Sequence, residues 1–242
     1  MKLHGATALV TGTNRGFGHH LAVELLRRGA KVYATARRPE LIDIPGAEVL
    51  RLDITDQGSV DAAAQVATDV DFLVNNAGFT GVGNLMTGDL DTIRQMMDSN
   101  YYGTLAMIRA FAPVLAGNGG GAILNVLSST AWTTVDGNTS LAAAKSAQWG
   151  LTNGVRVELV GQRTLVSALV AGPIATETLR DFVRGAGLTL SEDVNDPADL
   201  ARLALDGIEA GEVEILDRFG IDAKATLAGP PQAFDLAAIA NS

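Results

Sequence analysis

The sequence predicts an α/β fold, a doubly wound parallel sheet with helices on both faces. Three observations predict it. Short apolar runs alternate with longer amphipathic stretches along the 242 residues, and repeated strand–helix–strand units build a parallel sheet. The apolar runs are continuous rather than alternating, as strands covered on both faces are. A glycine-rich segment lies between the first apolar run and the first helical stretch.

In order, residues 6–10 read as the first strand and 17–28 as the helix after the glycine turn. Residues 31–35 and 48–52 read as strands, 59–67 as a short helix and 71–74 as a fourth strand. Residues 90–115 form one long helical stretch with Asp89 available as its cap. A fifth strand at 122–127, a helix at 141–159 and a sixth strand at 165–170 follow. Residues 197–207 are helical, and 213–216 close the series as a seventh strand. No second composition regime or linker interrupts this, so one domain spans residues 1–242. Residues 179–195 carry Gly185 and Gly187 without a firm period and read as a substrate lid. The tail, 220–242, is expected to wander over the surface.

Composition narrows the function. Hydrophobic residues make up 47% and charged residues 19% of the chain, enough apolar material for a sizeable core. There is no cysteine, hence no disulfide, thiolate metal site or cysteine nucleophile. His4, His19 and His20 suggest no metal constellation. A net charge of −9 argues against a nucleic-acid partner. No apolar run reaches the roughly 18 residues a membrane span needs. Met1–Gly5 leads straight into a strand without room for a signal peptide, so a cytoplasmic protein is expected.

Thr11-Gly12-Thr13-Asn14-Arg15-Gly16-Phe17-Gly18 occupies the turn between first strand and first helix. Gly12 allows the tight turn, Gly16 lets backbone approach a pyrophosphate, and Gly18 permits close helix packing. The helix N-terminus offers unpaired N–H groups to the anion. A dinucleotide is the expected ligand. A free ribose 2′-hydroxyl usually meets an acidic residue after the second strand. Here the chain reads Ala34-Thr35-Ala36-Arg37-Arg38, with Arg15 as a further cation. Guanidinium groups suit a 2′-phosphate, which favours NADP(H) over NAD(H).

Further motifs make the chain resemble the short-chain dehydrogenase/reductase family. TGxxxGxG sits at residues 11–18, and Asn75-Asn76-Ala77-Gly78 matches the element after the fourth strand. Asp53, before Ile54, matches the aspartate at the adenine, and Asn100 the asparagine of the long helix. Ser128 matches the catalytic serine and Lys145 the active-site lysine, which also holds the nicotinamide ribose. Gly172-Pro173-Ile174-Ala175-Thr176 resembles the loop that holds the nicotinamide carboxamide. The match runs over residues 5–215. It implies a single Rossmann-type domain with a seven-stranded parallel sheet, a catalytic set of Asn100, Ser128 and Lys145, and a homodimer or homotetramer built on the stretches 90–115 and 141–159.

One departure is central. The family's tyrosine lies four residues before its lysine, and that position is Leu141. Ser128 lies thirteen residues before it, the usual spacing, so the register stands. Ala171 replaces a more usual proline. Leucine has no exchangeable proton, and a positioned general acid contributes about 10²–10⁴ in rate. Five readings follow: a reductase whose substrate supplies its own electrophilicity, such as an iminium ion or an enone; a substitute acid at Tyr101, Tyr102, Asp136 or a bound water; a nonreactive NADP(H) binder; changed, non-redox chemistry; or an engineered position. The first two keep an oxidoreductase. Phe79, Leu85, Trp132, Leu141 and residues 179–190 are expected to line an apolar substrate pocket, suited to a hydrophobic carbonyl, imine or alkene.

Overall fold

The computed structural model describes residues 1–81, 83–185, 189–191, 193–229, 233–234 and 240–241. Its centre is a seven-stranded parallel sheet. Its strands are β1 (Thr7–Thr11), β2 (Lys31–Ala36), β3 (Glu48–Arg51), β4 (Phe72–Asn75), β5 (Gly121–Val126), β7 (Thr164–Val170) and β9 (Glu214–Leu216), in the order β3-β2-β1-β4-β5-β7-β9. β6 (Thr134–Val135) and β8 (Thr189–Leu190) are two-residue strands outside it; β10 (Ala233–Phe234) pairs with β6 and β11 (Ala240–Asn241) with β8. The helices are α1 (Gly16–Arg27), α2 (Gln57–Val66), α3 (Leu90–Met97), α4 (Thr104–Gly117), α5 (Thr139–Glu158), α6 (Glu177–Gly185), α7 (Pro197–Ala210) and α8 (Arg218–Thr226).

Side-chain alternation explains the two covered faces. Ala8 and Val10 of β1, Phe72 and Val74 of β4, and Ala122 and Leu124 of β5 point to one side. They pack there with Phe17, Leu21 and Leu25 of α1 and Leu200, Ala204 and Ile208 of α7. Leu9, Leu73 and Ile123 point the other way, against Val60 of α2, Phe111 and Leu115 of α4 and Val155 of α5. Chain order along the sheet reverses between β1 and β4. A crevice opens at such a switch point, beyond the carboxyl ends of the strands. No helix among the described residues is long and apolar enough to cross a membrane.

Two departures from the expected elements have local causes. The stretch 90–115 is interrupted by a π-helical turn at Asp98–Gly103. Three side chains bond backbone carbonyls there: Ser99 Oγ donates to Gln95 O (2.9 Å), Asn100 Nδ2 to Met96 O (3.0 Å) and Thr104 Oγ1 to Asn100 O (2.9 Å). Such bonds loosen the i→i−4 ladder, and π turns recur at functional sites. The expected surface tail instead begins inside α8. Asp217 caps this helix, its Oδ1 accepting from Gly220 N at 2.7 Å, and Gly220 and Ala223 are buried. Aspartate as N-cap is a legible signal that a glycine-bearing tail obscured. Residues 186–188 and 192 of the expected lid, and 230–232, 235–239 and 242 of the tail, lie outside the described residues.

Candidate active site

The crevice is a cleft of about 1160 Å³. Its floor is built from the glycine turn. Gly12 and Gly16 have φ of +74° and +62°, a region costly for a residue with a Cβ. Gly12 N and Thr13 N both donate to Thr35 O at 2.9 Å, which docks the turn on β2. A Cβ on Gly18 would overlap Gly12 O and Asn76 Nδ2. Arg15 precedes α1 in extended conformation and makes no capping bond. The first N–H groups of α1 therefore lack a side-chain acceptor, the condition under which a helix N-terminus receives an anion.

The segment after β4 is tied to this turn. Thr11 Oγ1 accepts from Asn76 N and Ala77 N at 2.9 Å each, and Asn76 Nδ2 donates to Thr11 O at 2.9 Å. Asp53 turns back on its own loop, accepting from Thr55 N and Thr55 Oγ1 at 3.0 and 2.7 Å. On the far side, Gly172 N donates to Asp217 Oδ2 at 2.8 Å, and Asn195 Nδ2 donates to the same oxygen at 2.5 Å. One buried carboxylate thus joins the loop after β7, the start of α7 and the cap of α8.

Most of the expected residues meet on the wall of the cleft: Gly12, Asn14, Arg15, Gly16, Phe17, Arg37, Arg38, Asp53, Ile54, Asn76, Ala77 and Gly78 on one side, Ser128, Leu141, Gly172, Pro173, Ile174 and Thr176 on the other. Thr13, Gly18, Asn100 and Lys145 stand behind the wall. Thr13 is buried, with its hydroxyl on Thr35 O at 3.3 Å. Asn100 supports the wall from beneath, Nδ2 donating to Phe79 O at 2.9 Å.

Lys145 is turned inward. Its Nζ donates to Val126 O at 3.0 Å and to Gln148 Oε1 at 2.9 Å. Gln148 Nε2 donates to Thr104 Oγ1 at 3.0 Å, and that hydroxyl donates to Asn100 O. Lysine and asparagine are therefore linked through two residues the motif reading missed. The lysine–glutamine spacing of one helical turn was the available signal. Burial pulls the Lys145 ammonium down to about 8. The native state sheds this proton at lower pH than the unfolded chain, so its desolvation opposes folding below about pH 8 and is relieved as pH rises.

Leu141 packs with Met96, Ala144, Phe79 and Met97 and is 8% exposed, presenting one edge to the cleft. The expected apolar lining needs correction. Trp132 faces away, packed edge-on against Trp149 with ring centroids 6.0 Å apart. Leu85 is exposed, held by its amide on Thr139 Oγ1. Of the described residues within 179–190 only Leu179 lines the cleft. Among the suggested substitute acids, Asp136 lines it and the tyrosines do not: Tyr102 is exposed, and Tyr101 borders a separate groove against α5.

Residues 6–186 match the short chain dehydrogenase family, and the chain belongs to that family of oxidoreductases. A crystal structure of a short chain dehydrogenase from Burkholderia cenocepacia J2315 in complex with NADP is 35% identical, with a TM-score of 0.87 and 95% of each chain covered. The 1-deoxy-11-beta-hydroxypentalenate dehydrogenase of Streptomyces exfoliatus is 32% identical over 223 residues, 85% of this chain and 81% of that protein. The NADPH-dependent 1-acyldihydroxyacetone phosphate reductase of Schizosaccharomyces pombe is 31% identical over 178 residues, 70% of this chain but only 60% of that protein's length.

Proposed function

We propose that this protein is an NADP(H)-dependent oxidoreductase acting on an apolar carbonyl, imine or activated alkene, and that it works without a general acid at position 141. The observation that carries the reading is the polarity of the cleft. One end has the uncapped start of α1 and the guanidinium groups of Arg15, Arg37 and Arg38, none in an ion pair among the described residues. The other presents the apolar Leu141 and Phe79 among the polar Ser128, Thr130, Asp136 and Asn138.

When bound, the nicotinamide nucleotide supplies two-electron hydride chemistry. The chain's own residues do the rest. The glycine turn and α1 hold the pyrophosphate, and Arg37 and Arg38 hold the 2′-phosphate. Asp53 and Ile54 flank the adenosine end, and Gly172 to Thr176 enclose the nicotinamide end. Ser128 offers one hydroxyl to the substrate, a weak acid on its own, while Leu141 excludes water and supplies no proton. The Burkholderia cenocepacia relative in complex with NADP supports the nucleotide assignment by likeness. Asn100 and Lys145 act through Gln148 and Thr104, as a buried brace behind the nicotinamide end.

We further take residues 1–242 as one domain working in the cytoplasm as a homodimer or homotetramer. A groove of about 480 Å³ between α4 and α5, lined by Tyr101, Leu105 and Leu151, supports pairing there. A second reading, a nucleotide binder without turnover, is favoured by the inward turn of Lys145.

Arg37→Ala tests the nucleotide choice. The NADPH dissociation constant should rise about 10- to 150-fold, a charge-assisted phosphate contact being worth about 1.5–3 kcal/mol. The NADH constant should change less than about twofold, since no 2′-phosphate is lost. Equal weakening of both, read by fluorescence titration, removes the 2′-phosphate assignment.

A further inference from the structure

Around Leu141 the cleft is polar, with one acidic group. Ser128, Thr130, Asp136 and Asn138 line it together with Leu141 and Phe79. Asn138 Oδ1 and Thr130 Oγ1 are buried and find no hydrogen-bond partner among the described residues. A buried polar atom left in that state is costly, and a ligand offering a donor relieves it at Asn138 Oδ1. Asp136 is exposed to the cleft, and its Oδ1 accepts from Gly137 N at 2.9 Å and Asn84 Nδ2 at 3.5 Å. Its carboxylate has no cationic partner among the described residues.

The arginines on the wall belong to the nucleotide end: Arg15 in the first turn, Arg37 and Arg38 after β2. Asp98 and Glu177, elsewhere on the wall, add charge of the same sign as Asp136. The start of α5 opposes a cation by about half a charge, a smaller quantity than one full carboxylate. An oxyanion developing on a ketone oxygen would be repelled by the Asp136 carboxylate. A positively charged nitrogen would be attracted to it.

We propose that the substrate is a cyclic iminium ion in an apolar ring system, and that Asp136 is the residue that selects it. The proposal rests on the nucleotide reading above and narrows its substrate class. The balance needs no acid. The iminium carbon gains hydrogen with its electron pair from NADPH, and the C=N π pair moves onto nitrogen. The amine leaves neutral and the positive charge passes to NADP⁺. Leucine at position 141 is then no handicap, and Asp136 stabilises the incoming charge rather than donating a proton. A protonated iminium would also give its N–H to Asn138 Oδ1.

The test is calorimetric titration of the full chain at pH 7, with and without NADP⁺. The probes are 2-methyl-3,4-dihydroisoquinolinium, a permanent cation, and 1-tetralone, its neutral counterpart in shape. With oxidised nucleotide neither probe turns over, so binding alone is read. Wild type should bind the cation about tenfold more tightly than the ketone, and Asp136→Asn should erase most of that preference. NADP⁺ affinity of the variant reports that it is folded. Equal affinity for the two probes in wild type, or a preference that Asp136→Asn leaves intact, overturns the proposal. Failure of wild type to bind NADP⁺ overturns the nucleotide reading instead; the comparison without nucleotide still decides this one.

Discussion

Leu141→Tyr should gain ketone reduction by at least tenfold, with about 10²–10⁴ as the range a positioned acid contributes, or roughly 3–5 kcal/mol of barrier. The position is suited to the gain because Leu141 already presents an edge to the cleft beside Ser128. The gain has an upper bound, because Lys145 is committed to Val126 O and Gln148 Oε1 and does not face position 141's neighbours in the cleft. The phenol would also have to displace packing shared with Met96 and Phe79, and overpacking costs about 1–3 kcal/mol. Releasing the lysine with Gln148→Ala in the tyrosine background should raise the rate further. A Leu141→Tyr protein that binds NADPH normally and stays inert on ketones would show that the missing phenol is not the main barrier.

Asp217→Ala should lower stability by about 2–4 kcal/mol, with the thermal midpoint falling roughly 5–10 °C. This carboxylate is 6% exposed and accepts from Gly172 N, Gly220 N and Asn195 Nδ2. Truncation removes a helix cap and strands two buried donors, Gly172 N and Gly220 N, while Asn195 Nδ2 keeps its bond to Pro173 O. Because Gly172, Pro173, Ile174 and Thr176 form one wall of the cleft, NADPH binding should weaken as well. Asp217→Asn, which keeps the shape and part of the acceptor set, should lose less of both. Urea denaturation and nucleotide titration of the two variants read these effects. Wild-type stability in Asp217→Ala would mean that the three bonds are replaced by solvent.

Much of the architecture was legible because it rests on local pattern. All seven sheet strands were placed to within a residue or two, the inner ones because burial on both faces leaves little choice of residue, while the exposed edge strand β3 lacks that constraint. The glycine turn was legible because positive φ at Gly12 and Gly16 admits few alternatives. What the sequence hid was long-range. Asp217 serves three segments, and Asn195 and Gly172 are its partners only after folding. The break within residues 90–115 arises when Ser99, Asn100 and Thr104 claim carbonyls of their own helix, which helical periodicity does not register. The inward turn of Lys145 needed Gln148 and Thr104 to meet from two different helices. Trp132 was misplaced because an aromatic residue four positions past Ser128 can pack to either side of its loop, and Trp149 draws it inward.

The most direct measurement of the whole account is a single turnover of the wild-type protein with bound NADPH, followed at the nicotinamide absorbance band. The iminium cation and 1-tetralone are offered in separate runs. The cation should consume NADPH, and the ketone should do so more slowly by a factor of about 10²–10⁴, the contribution of the absent acid. Equal rates on both, or no consumption of bound NADPH by either, would contradict it.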